Sequence, residues 1–193
     1  MEQKPKKMTY DDLLLDLKNH FKEEFSLKPK AQNAQYELSE LLMCGFALFS
    51  LKESSLFKFV KKLKTRESNL RNIFRISKAP SDTTIRSHID EVDKEELKKV
   101  FTPFIEQLDN QGILRPYTCL DDYLYVPIDA TQYFKSQKVN CSCCLEQHHK
   151  NGSITYSHKA LCACIVHPKQ EAVFPIAIED ISRHCLLYTS PSP

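Results

Sequence analysis

Glycine is scarce: Gly45, Gly112 and Gly152 are the only three in 193 residues. With so few, neither a Gly-rich loop that cradles phosphates nor a dinucleotide-binding fingerprint can be assembled. Long apolar runs are missing too. The longest, Leu41 to Phe49, has the length of a buried helix and falls far short of the ~20 residues a membrane-spanning helix needs. The opening stretch from Met1 to Lys7 is polar and charged, with none of the apolar region of a secretory signal. A cytoplasmic protein with no membrane partner is the expectation. Strong excess charge is also absent. Lysine and arginine number 27 against 25 acids, a formal net charge of +2, which by itself argues for no polyanionic partner.

The amounts that are present are those of a folded protein. Apolar residues make up 41% and charged residues 27%, and the length suits one medium domain or two small ones. Positive charge is unevenly spread. Lys58, Lys61, Lys62, Lys64 and Arg66, then Arg71, Arg75 and Lys78, crowd one part of the first 110 residues. Such clusters either steer a helical surface to phosphates or make a solvated face balanced by nearby acids. Eight cysteines in a reducing compartment read as thiols or metal ligands rather than a disulfide frame. Five of them fall between Cys141 and Cys164.

Apolar spacing of 3.6 dominates the first half. Leu14, Leu17, Phe21 and Phe25 predict a helix over 9–25, with Thr9 as cap, stopped by Lys28-Pro-Lys30. Leu38, Leu41, Leu42, Phe46 and Phe49 predict a central buried helix over 33–51. Shorter helices are expected from Ser54 or Ser55 to Leu63 and over 68–76, and a longer one over 93–109, closed by Asn110-Gln-Gly112. After a lead-in that includes Asp121 and Asp122, the pattern turns extended, with strands expected over 123–134, 153–167 and 171–178. Loops are expected at 147–152 and 168–170. Helices first and sheet second predicts an α+β protein, with a helical region over 1–112 and a strand-rich region over 113–181.

Ala79-Pro-Ser-Asp-Thr-Thr-Ile-Arg-Ser-His-Ile-Asp90 is the first stretch with functional character. Pro80 breaks the preceding helix, Ser81 or Asp82 caps the next, and Ile85 and Ile89 turn inward. Thr83, Thr84, Arg86 and Ser87 are left on the exposed side. A short helix, a turn and a helix presenting hydroxyls and arginine is how a helix-turn-helix reads DNA; any capped surface helix offers the same residue types.

The most informative stretch is Leu124-Tyr-Val-Pro-Ile-Asp-Ala-Thr-Gln-Tyr-Phe-Lys-Ser136, an apolar β-prone run that delivers Asp129. A strand aims such a carboxylate rigidly, although a strand-end aspartate can equally be a turn cap. Together with Cys-x-x-Cys-Leu at 141–145, Gly-x-x-x-Tyr-x-His at 152–158 and Ile-Val-His-Pro at 165–168, this run resembles the start of the catalytic domain of bacterial insertion-sequence transposases of the DDE class. The resemblance covers roughly 36–181. It implies a helical DNA-binding region, which would place DNA contacts at Thr83, Thr84, Arg86 and Ser87. An RNase H-like core would follow, with Asp129 as its first metal-binding acid. Two Mg²⁺ or Mn²⁺ ions held by three acids would serve DNA strand cleavage and transfer. The DNA partners would be insertion-sequence ends and target, with action as a homo-oligomer on paired ends. The other two acids of the class lie past the opening strands, so this chain is expected to be inactive as it stands. A non-catalytic DNA-binding regulator and a zinc-stabilised interaction module are the alternatives.

The cysteine cluster raises a second metal question. Cys141 and Cys144 form a Cys-x-x-Cys pair, with His149 and His158 downstream, a donor set tetrahedral Zn²⁺ accepts. The spacing also suits free thiols around a hairpin, or a cysteine activated by histidine. Cys162 and Cys164 alternate along an expected strand as small buried residues. Finally, Cys185-Leu-Leu-Tyr-Thr-Ser-Pro-Ser-Pro193 resembles a translated sequencing adapter, so 182–193 is expected to be a non-native tail.

Overall fold

The structure, a computed structural model, describes residues 9–25, 35–120 and 122–182. The expected helix stop at 28–30, Asp121 and the adapter-like stretch from residue 183 lie outside the described residues. The chain is α+β and divides into two compact units, Met1–Val100 and Phe101–Pro193.

The first unit is helical, with α1 (Tyr10–Phe25), α2 (Leu38–Ser50), α3 (Leu56–Leu63), α4 (Glu67–Phe74), α5 (Asp82–Ile89) and α6 (Lys94–Lys98). Local chemistry fixes the starts. At α1, Thr9 and Asp12 cap each other: Asp12 N–H donates to Thr9 Oγ1 at 3.2 Å and Thr9 N–H donates to Asp12 Oδ2 at 3.0 Å. Ser55 caps α3 through Lys58 N–H and Ser81 caps α5 through Thr84 N–H. Arg75 closes α4 in the left-handed region at φ 56°.

The core of this unit is α2. Leu41, Met43, Cys44 and Ala47 are fully buried, and α2 packs against α1, α4 and α5, while α3 packs against α5. Leu14, Leu17 and Phe21 of α1, Phe59 and Leu63 of α3, Leu70 and Phe74 of α4 and Ile85 of α5 are buried as well. Phe49, expected on the apolar face, is 80% exposed instead, because the row through Leu42 and Phe46 runs out to solvent at the helix end. Gly45 has a packing reason. A Cβ there would lie 3.2 Å from Ile89 Cδ1, so the missing side chain lets α5 approach α2.

A polar network joins three helices at the edge of this core. Lys18 Nζ donates to the Arg75 carbonyl and lies 3.7 Å from Glu40 Oε1, which also accepts Ser77 N–H at 3.2 Å. Removing the carboxylate leaves a partly buried ammonium with the Arg75 carbonyl but no counter-charge, and takes the acceptor from a backbone N–H. Glu40→Ala is therefore expected to destabilise this unit by about 1–3 kcal/mol, read by urea unfolding; a change under a few tenths would show the network to be idle.

Cys44 gives a pH expectation. Burial, with Glu40 as a second contribution, pushes its thiol from 9.0 up to about 12. The folded pKa is raised, so the unfolded chain loses this proton first and stability falls as pH climbs from about 9 towards 12. Below pH 9 that contribution is fully present, and Cys44 should resist alkylation in the native protein while reacting in urea. Alkylation at the rate of an exposed thiol in the native state would refute this.

The second unit holds α7 (Phe101–Asn110), a 3₁₀ turn at Arg115–Tyr117 and six strands. The expected 93–109 helix is thus two helices. Pro103 has no N–H to donate to Lys99 and its ring crowds that carbonyl, so the chain restarts at Phe101. Gly112 closes α7 at φ +70°, and Ile113 N–H donates to the Leu108 carbonyl at 3.0 Å. The unit border falls at 100 rather than near 112, because Ile105 and Leu108 of α7 pack on the buried cluster Leu114, Tyr117 and Ile165 with Val126, Phe174 and Ile176.

Strands β1 (Thr118–Cys119) and β2 (Tyr123–Leu124) form a small hairpin. The expected 123–134 strand is interrupted at Pro127, which lacks a ladder donor, and resumes as β3 (Ile128–Ser136). Then come β4 (Leu145–His148), β5 (Ile154–Ile165) and β6 (Phe174–Ile181). β4 lies partly where a loop was expected; its four residues are too few to show period-2 alternation. Central β5 pairs antiparallel with β3 on one edge, and with β4 and β6 end to end on the other. Among the described residues, no helix is long and apolar enough to cross a membrane.

Candidate metal centre and nucleic-acid surface

The clearest site is a triangle of ligand atoms. Cys141 Sγ and Cys144 Sγ are 3.5 Å apart, and each lies 3.3 Å from His158 Nε2. Among the described residues this is the one group of three or more His, Cys, Asp or Glu side chains close enough to share an ion.

The local sequence builds it. Ser136, at the end of β3, accepts backbone N–H groups from Lys138 and Val139 at 3.1 and 2.8 Å, turning the chain back towards β5. Cys144 N–H then donates to the Cys141 carbonyl at 3.2 Å, closing a tight turn that brings the two thiols to one side. Cys141 N–H donates to Cys144 Sγ, 3.3 Å away, which orients that sulfur. Cys144 is fully buried, whereas Cys141 and Cys143 are exposed.

His158 arrives from β5, opposite Phe134. A bulge between Gln132 and Phe134 admits an extra residue into β3, so two consecutive aromatics meet one imidazole. Tyr133 stacks on His158 at 5.8 Å and 14°, and Phe134 tilts against it at 5.5 Å and 46°. Tyr133 donates its hydroxyl to Asp180 Oδ1 of β6 at 3.1 Å. Desolvation of the phenol and the charge of Asp180 push Tyr133 up to about 12, with Cys141 and Cys144 adding to the rise. Residue pattern alone does not single out this aromatic support, although Tyr133-Phe134 shortly before Ser136 is its visible trace.

His149, the fourth expected ligand, is elsewhere. Its Nε2 is 2.8 Å from Thr155 Oγ1, its N–H donates to the Ser153 carbonyl at 2.9 Å, and Gly152 at φ +80° completes the turn. It holds the β4–β5 hairpin. Cys162 and Cys164 are only partly buried and take no part in the triangle.

Asp129 stands exposed on β3, opposite Cys162, and its Oδ1 accepts its own neighbour's Ala130 N–H at 2.8 Å. No group of three carboxylates forms among the described residues. The residues present therefore do not fit the two-metal Mg²⁺ or Mn²⁺ centre that the resemblance implies, since one carboxylate cannot hold two ions.

On α5 the four expected DNA-contacting residues divide. Thr83 and Thr84 Oγ1 lie 2.9 and 2.7 Å from Ser81 Oγ, and Ser87 Oγ reaches the Thr84 carbonyl at 3.3 Å, so these hydroxyls serve the helix itself. Arg86 is exposed and makes no ion pair among the described residues. Beside the start of α5, Lys61 and Lys64 line a shallow groove of about 510 Å³ with Tyr36, Phe57 and Pro80. No protein-family model, no curated protein and no solved structure matches the chain.

Proposed function

We propose that the chain carries the DNA-binding helical unit and the opening strands of a DDE-class transposase, and that it binds DNA without cleaving it. The observation that carries this reading is the arrangement around Asp129. This acid, in its Ile-Asp-Ala-Thr setting, is solvent-exposed on β3, and β3, β5 and β6 follow as antiparallel neighbours. That is compatible with the opening hairpins the resemblance implies. Support for DNA contact comes from Arg86 on the capped helix α5 and from Lys61 and Lys64 beside it. The DNA would be insertion-sequence ends and target, with a homo-oligomer on paired ends as the working assembly.

The reading is tested by a titration of duplex DNA at several salt concentrations. Binding that weakens steeply with salt is expected, and Arg86→Ala with an unchanged helix content should weaken it by about 1 kcal/mol or more. Absence of any salt-dependent binding would remove the DNA reading. Added Mg²⁺ or Mn²⁺ is expected to produce no cutting, because Asp129 lacks partner acids among the described residues. Metal-dependent nicking that vanishes in Asp129→Ala would overturn the inactive assignment.

A further inference from the structure

We propose that Cys141, Cys144 and His158 bind one Zn²⁺ ion, with solvent in the fourth position, and that the ion fastens the 137–144 loop to β5. This stands on the second unit alone and does not depend on any DNA activity.

Geometry is the first argument. Tetrahedral zinc with bonds of about 2.3 Å to sulfur and about 2.0–2.1 Å to nitrogen spans edges of about 3.8 Å (S to S) and about 3.6 Å (S to N). The observed edges, 3.5 Å and twice 3.3 Å, form a face of nearly that tetrahedron. The donor set is the second argument. Two thiols and an imidazole nitrogen are soft and borderline ligands, suited to zinc and unsuited to Mg²⁺ or Ca²⁺.

Two other uses of these atoms fit less well. A disulfide would bring the sulfurs to about 2.05 Å, whereas they stand 3.5 Å apart and both face the same nitrogen. A cysteine activated by histidine needs one thiol near the base and an open approach. Here Cys141 is exposed, but both sulfurs lie 3.3 Å from Nε2 and 3.5 Å from each other, so the imidazole faces the pair and singles out neither thiol.

The support around the ligands is the third argument. The Cys141 N–H aimed at Cys144 Sγ and the two aromatics on His158 fix sulfur and ring before any ion arrives. The unit also gains from such a clasp. Among the described residues its buried apolar side chains are few: Leu114, Tyr117, Cys144, Leu145, Ala160, Ile165 and Ile181. Small cores are commonly completed by a structural metal. Binding replaces two S–H bonds by two S–Zn bonds, releases two protons to solvent and changes no oxidation state.

The test uses the full chain, reduced and stripped of metal, titrated with Zn²⁺ under competition from a chromophoric chelator and with Co²⁺ for its spectrum. One ion per chain is expected, with a cobalt thiolate charge-transfer band, protection of two thiols from a disulfide reagent, and a melting temperature that zinc raises and chelation lowers. Cys141→Ser, at an exposed position, and His158→Gln should each weaken binding by more than about 100-fold, beyond the 10–100-fold typical of groups that merely support a ligand. Cys143→Ser and His149→Ala should retain the ion. No binding by the reduced chain, equal affinity in Cys141→Ser, or loss of the ion in Cys143→Ser would each overturn the proposed ligand set.

Discussion

Replacing Tyr117 by alanine is expected to destabilise the second unit by about 3–5 kcal/mol, the usual effect of emptying a buried aromatic site. Tyr117 is 5% exposed and sits between Leu114 and Ile165, where α7 meets the sheet. Its ring stands edge-on to Phe174 at 5.0 Å, and its hydroxyl donates to the Ala172 carbonyl at 3.1 Å. Alanine removes the packing, the ring contact and the hydrogen bond together. Tyr117→Phe separates them, because it keeps the ring and deletes only the hydroxyl, at about 0.5–1.5 kcal/mol. The chain has no tryptophan, so far-UV circular dichroism during urea unfolding is the suitable probe. Equal effects of the two variants would mean that the hydrogen bond, rather than the packing, holds this corner.

Phe59→Ala is expected to have an effect of similar size, about 3–5 kcal/mol, on the helical unit. Phe59 is 1% exposed, the bulkiest of the fully buried side chains, and it lies on α3 beside Val60 and Leu63. α3 contacts α5, so loosening of α3 should reach the helix that carries Arg86. Two consequences follow. Unfolding should shift to lower urea, and DNA binding, where present, should fail at temperatures the parent protein tolerates. Phe59→Leu, which keeps most of the volume, should lose much less. A loss below about 1 kcal/mol in the alanine variant would place the core of this unit elsewhere.

Much of the local structure was legible in the residues themselves. The capping pair Thr9 and Asp12, the caps at Ser55 and Ser81, and the stop at Gly112 all act over three or four residues, so their chemistry is visible in order along the chain. The 3.6 and 2.0 periodicities likewise marked α1, α3, α5 and β5 to within a few residues. Short elements escaped. β4 has four residues and exists because β5 offers it an edge, while the break between α6 and α7 turned on a single proline.

For the metal question, the residue types and the Cys-x-x-Cys spacing named the candidates, and the sequence put His149 and His158 together in one ligand set. Tertiary structure chose between them. Antiparallel pairing of β3 with β5 sets His158 opposite Phe134, over the turn of Cys141 and Cys144, while the β4–β5 hairpin commits His149 to Thr155. The same holds for Asp129. Its strand follows from local pattern, but its exposure, shared with its apolar neighbour Ile128, and which acids stand near it are matters of distant segments packing together. A sequence thus determines by itself what depends on neighbours along the chain: caps, breaks, periodicity and the donor types available to a metal. Which donors converge depends on contacts between residues 14 and 17 positions apart, as for Cys144 and Cys141 with His158, and only strand pairing decides those.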